Sequence, residues 1–137
     1  MKTVKIIKKH IDPNVFWKMD QSEQVKVLKC LLFDLCQLYR LPNVKLEFIN
    51  DAYAYKVTGG GIYIPDKNKI MLFKISLMTF LHEFAHIFFK DERRAQLWSH
   101  KAFYYSFPKL YLRNVKEKKF FHYFDLKEIQ RFNECFK

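Results

Sequence analysis

Residues 77–88 read Leu-Met-Thr-Phe-Leu-His-Glu-Phe-Ala-His-Ile-Phe, a largely apolar run with two histidines and a glutamate set inside it. Leu77, Met78, Phe80, Leu81, Phe84, Ala85, Ile87 and Phe88 surround a helical axis on nearly every side. The segment therefore predicts a central buried helix, with Ser76 as its N-cap. Burying three ionisable groups without partners is costly, so any fold that accepts this helix must supply partners for them. His82 and His86 lie four apart, on one helical face and one turn from each other. That is the spacing at which two imidazoles can hold one tetrahedral metal, zinc by preference. Glu83, beside the first histidine, is the candidate general base acting on the metal's water.

Two histidines do not complete a catalytic zinc site, which takes a third protein ligand and leaves a fourth position open. The candidates are Glu92 and His100. Asp91 reads as the N-cap of a further helix running to about Ser106, with Glu92 in its first turn. Ala95, Ser99 and Ala102 share roughly one side of it and permit close packing on the His82–His86 helix. If the first helix simply continued, Glu92 would be rotated about 240° from His86 and out of reach. Ligation thus requires a sharp reversal around Phe88 to Asp91, where no glycine stands. Otherwise Glu92 is a first-turn carboxylate that complements the helix dipole. His100 requires a longer excursion, and otherwise reads as a half-exposed helical histidine. Glu117 and Glu128 lack a supporting context.

The remaining pattern frames that helix. Asp20 and Glu23 form a capping box ahead of Val25, Leu28, Leu32, Leu35, Cys36 and Tyr39, a helical repeat that ends before Pro42. Val44 to Phe48 alternates as a strand, Asn50-Asp51 reads as a turn and Ala52 to Val57 as a second strand. Gly59-Gly60-Gly61 reads as a bend or bulge rather than a phosphate loop, since no Lys-Ser/Thr follows. Ile62–Ile64 and Ile70–Phe73 flank Asp66-Lys67-Asn68 as a hairpin. Asp125 and Glu128 open a last helix, with Ile129, Phe132 and Phe136 on one face. Residues 1–19 give no clear pattern.

With those residues in place, the chain resembles the zincin metallopeptidases. Asp91-Glu92-Arg93-Arg94-Ala95-Gln96-Leu97-Trp98 is similar to the Glu-x-x-Ala-x-x-aromatic helix of gluzincins, whose glutamate is the third ligand. The small size resembles minigluzincins and ImmA/IrrE-like peptidases. A competing resemblance is to SprT-like and Spartan-like proteases, in which His100 and Tyr104 would take the third-ligand and aromatic positions, although Lys101 stands where a glycine often follows. The resemblance covers roughly residues 44–106. It implies an α+β fold with a backing helix, a twisted three- or four-stranded sheet, the active-site helix and a second ligand-bearing helix. It also implies that an extended peptide pairs with the sheet's edge, supplied by residues 59–64 or 52–57.

The 137 residues suit one domain, with a core over about 20–106 and a C-terminal extension over 107–137. No apolar run is long enough to span a membrane as a helix, and no signal peptide is read. Three cysteines, Cys30, Cys36 and Cys135, read as buried free thiols of a reducing cytoplasm. The net charge of +11 suits nonspecific contact with nucleic acid but specifies none. The expected function is a zinc metallopeptidase acting on peptide or protein substrates. The other readings are a DNA-associated SprT-like protease, or a noncatalytic module that binds peptide or nucleic acid. In the extension, the aromatic run Phe120-Phe121-His122-Tyr123-Phe124 either packs on the core or covers the cleft. In the second case His122 or Cys135 could occupy the metal's open position.

Overall fold

The computed structural model describes residues 1–137 and is α+β, with helices around a small mixed sheet. The segment without a readable pattern forms two helices, α1 (Lys2–His10) and the single turn α2 (Pro13–Phe16). Ile7, Ile11 and Phe16 go to the core and the lysines stay outside. Helix α3 (Gln21–Leu38) begins where Asp20 accepts the Glu23 N–H at 2.9 Å, and it buries Leu28, Leu31, Leu32, Leu35 and Cys36.

The sheet has three strands, β1 (Lys45–Phe48), β2 (Gly61–Ile64) and β3 (Lys69–Leu72), in the order β1-β3-β2. β3 pairs in parallel with β1, Leu46 opposite Ile70, and antiparallel with β2, Tyr63 opposite Ile70. A 3-10 turn over Pro65–Lys67 joins β2 to β3, with Asn68 in the left-handed region. This is the expected hairpin.

Ala52 to Val57 is not a strand. It forms helix α4 (Ala52–Thr58), because the Asp51 carboxylate accepts the N–H groups of Tyr53 and Ala54 at 3.0 and 3.1 Å. Gly59, at φ +78°, then closes the helix in a left-handed conformation that a side chain would strain. Asn50-Asp51 is thus a helix cap rather than a hairpin turn, and the edge beside the cleft belongs to β2. Gly61 packs where a Cβ would come within 3.0 Å of Thr79, so the start of β2 lies tight against the next helix.

That helix, α5 (Leu77–Ala85), starts with Ser76 Oγ accepting the Thr79 N–H and lies against β2 and β3. Behind it runs α6 (Glu92–Ser106), whose Ala95, Ser99 and Ala102 are all buried. Pro108 ends that path but also opens α7 (Pro108–Lys116), where proline is tolerated at the first helical position. The final helix, α8 (Leu126–Arg131), is capped by Asp125 through the Lys127 N–H. Glu128 makes no capping bond there and instead pairs with Arg93. Tyr111 and Ile129 belong to the same buried cluster as Leu81 and Phe84, so residues beyond 106 share the core. No helix is long and apolar enough to cross a membrane. Of the three free cysteines only Cys36 is buried; Cys30 falls on the outer side of α3 and Cys135 in the exposed tail.

Candidate metal centre

His82 occupies the last turn of α5, and His86 is the residue that caps it. The His86 N–H still bonds to the His82 carbonyl at 3.2 Å, so the two imidazoles keep helical stacking. The chain then turns back. The Phe88 and Phe89 N–H groups both bond to the Ala85 carbonyl at 3.0 Å, and Asp91 caps α6 by accepting the Arg94 N–H at 3.0 Å. Arg94 also reaches Asp91 at 2.7 Å and Glu134 at 2.9 Å, which pins the start of α6. No residue between His86 and Asp91 has a positive φ, which is why the reversal needs no glycine.

The reversal brings Glu92 back over α5. Its two oxygens divide between the histidines, Oε1 2.8 Å from His86 Nε2 and Oε2 3.1 Å from His82 Nε2, while the two Nε2 atoms stand 3.2 Å apart. One donor atom from each of His82, His86 and Glu92 lies within 4.8 Å of the others. The donor set fits zinc. Metal–ligand bonds of about 2.0–2.1 Å at a tetrahedral angle put donors about 3.3 Å apart, close to the spacing found. The ring orientation fits too. His86 Nδ1 donates to the Phe89 carbonyl at 2.9 Å, which orients the ring with Nε2 toward the other two donors. Burial holds the His82 pKa down to about 4, against the pull of the Glu92 carboxylate.

Glu83 faces the other wall. Its Oε1 accepts the backbone N–H of Tyr63 at 3.1 Å, so the carboxylate bridges α5 and the edge strand β2. It is buried, and that desolvation pushes its pKa up to about 7; His86 pulls the other way and the Glu92 charge adds to the rise.

His100 is not among the converging donors. It is buried on α6, with Nδ1 2.7 Å from Tyr111 Oη and its ring between Phe120 and Phe124. Tyr104 packs on Tyr111 rather than on the centre. His100 does line the cleft, a space of about 750 Å³ bounded by β2, α5 and α6 and by Phe120, Phe121 and His122. The far wall is thus the aromatic run of the C-terminal segment. Cys135 lies elsewhere, its carbonyl accepting the Trp98 indole N–H at 2.8 Å. Sequence reasoning did not find the Tyr63 N–H, because a backbone donor carries no residue signature. Comparison of this chain with protein-family models, curated proteins and solved structures finds no match.

Proposed function

We propose that this protein is a zinc-dependent metallopeptidase of gluzincin-like type, with His82, His86 and Glu92 as metal ligands and Glu83 as general base. One observation carries the reading: two imidazole nitrogens and a carboxylate from two helices meet at tetrahedral spacing on the floor of an open cleft. A zinc ion bound there supplies Lewis acidity, lowering the pKa of water and polarising a scissile carbonyl. The chain's own residues supply the remainder. An extended peptide pairs with the outer edge of β2, which runs beside α5 and sets the bond to be cut above His82 and Glu83. Glu83, tied to that same strand through Tyr63, takes the proton from the attacking water and returns it to the leaving amine. A carboxylate whose proton affinity is raised by burial is suited to both halves of that transfer.

The engagement of His100 by Tyr111 favours Glu92 over His100 as third ligand, and so the gluzincin-like over the SprT-like form. Intact Glu83 separates an enzyme from a noncatalytic peptide-binding module, which has no use for a base. The test measures zinc by atomic spectroscopy in the purified full chain and turnover of an unfolded protein substrate. About one zinc per chain is expected, with hydrolysis abolished by chelator and restored by zinc. Zinc content unchanged by joint replacement of His82 and His86 with alanine would sink the site. A zinc-loaded chain with no turnover of any unfolded substrate would sink the enzyme.

A further inference from the structure

A second cavity opens off the cleft at the N-terminal end of α5. Its volume is about 350 Å³, and Gly59, Met78, Thr79, Phe120 and Phe121 line both spaces. Lys74, Arg113 and Lys119 face it, and no aspartate or glutamate does. The Lys74 ammonium has only Tyr55 beside it, 3.5 Å from the hydroxyl and over the ring. Arg113 makes no ion pair. Lys119 shares its charge with Glu117 at 2.9 Å, a carboxylate outside the lining whose pKa is held low by Lys119 first, then by Arg113 and Lys116. The cavity is a positively charged annex of the cleft with two cations free of close carboxylate partners.

Its position relative to the metal centre is set by β2 and α5. Gly61 packs on Thr79, and the Tyr63 N–H meets Glu83, so β2 and α5 run alongside in the same sense. Thr79 and Ser76, which line the annex, precede His82 by about 4.5 and 9 Å of helix. An extended peptide covers about 3.3 Å per residue. A chain paired with β2 therefore brings a residue one to three positions from the cleaved bond over the annex.

We propose that this annex is a specificity pocket for an acidic side chain, aspartate or glutamate, of the polypeptide substrate, with Lys74 and Arg113 as the recognising cations and Lys119 at the rim. The inference rests on the peptidase reading and adds to it a substrate class: chains carrying a carboxylate one to three residues to one side of the scissile bond.

The test uses the zinc-loaded full chain and a set of fluorogenic peptides differing only by glutamate, glutamine or lysine at successive positions. Glutamate should exceed glutamine in kcat/KM by about tenfold at one position, a factor that two partly screened charges can supply. Added salt should shrink that factor. Joint replacement Lys74→Ala and Arg113→Ala should bring it near parity, and Lys74→Glu with Arg113→Glu should turn the preference toward lysine. Both side chains are exposed, and the single substitutions serve if a double variant loses its helical circular dichroism. Cleavage without preference for glutamate, or a preference that survives the substitutions, overturns the pocket and leaves the peptidase standing. Absence of any cleavage counts against the peptidase instead. The pocket is then decided by fluorescence anisotropy of the labelled glutamate and glutamine peptides on the zinc-loaded Glu83→Gln chain, where equal affinity overturns it.

Discussion

Glu83 and Glu92 are both glutamates on the floor of one cleft, yet their surroundings assign them different work. Glu83 is buried on α5 beside β2, while the Glu92 side chain is 67% exposed and reaches inward only with its carboxylate. Glu83→Gln should keep zinc and fold but lower kcat by at least about 10²-fold, the usual worth of a positioned base. Retention of full activity in a zinc-loaded Glu83→Gln chain would remove Glu83 from the mechanism. The same substitution has a signature without metal. The folded Glu83 carboxyl titrates at about 7, against 4.5 unperturbed. Its contribution to stability is complete below pH 4.5 and is lost as pH rises through 7, a difference of at most about 3 kcal/mol. In chelator, the melting temperature of Glu83→Gln relative to wild type should therefore rise between pH 5 and pH 8; a pH-independent difference refutes the buried-carboxyl account. Glu92→Ala should weaken zinc affinity far more than His100→Ala, measured by competition with a chromogenic chelator. The reverse order would transfer the third-ligand role to His100.

At the scale of elements, Glu92 reaches His82 and His86 because α6 packs on α5, and Ala95, Ser99 and Ala102 are the small buried residues along α6. Ala95→Leu should overpack this contact, costing about 1–3 kcal/mol, and should also loosen zinc by lifting Glu92 away. A variant destabilised by denaturant titration but with unchanged zinc affinity would disconnect the packing from the site. These small residues were legible in the sequence, as were the caps Asp20, Ser76 and Asp91, because each acts through its own backbone neighbours. Helix α4 was not. Tyr53, Tyr55 and Val57 alternate as in a strand, and the deciding factors were Asp51 as a cap and Gly59 as a stop, which outweigh β propensity over so short a segment. Helix α1 was hidden by its lysines, since only Thr3 and Ile7 within it are buried and the pattern is too sparse to read. The hydrogen bond from Tyr63 to Glu83 has no sequence trace, since it depends on how β2 is placed against α5.

Across the whole molecule, the C-terminal segment is woven into the fold rather than laid over it. Lys101, buried on α6, donates to the Gln130 and Phe132 carbonyls, Trp98 to Cys135, and the Lys137 N–H to Tyr39 Oη, while Ile129 is fully buried. Truncation after Val115 should accordingly lower the melting temperature sharply or abolish folding, rather than release a latent enzyme. A truncated chain that stays folded and gains peptidase activity reverses that assignment. The short path from His82 to Glu92 has a consequence of another kind. All three proposed metal donors belong to one helix–turn–helix, contiguous in the chain, and none waits for a distant strand to be threaded into place. Closing so small a loop costs little entropy. With zinc bound as proposed, a nascent chain would acquire the ion before the termini have met, and the ion would fix the angle between α5 and α6 while the sheet is still assembling. On the proposed zinc site, refolding from denaturant should proceed faster with zinc present than when zinc is supplied afterwards.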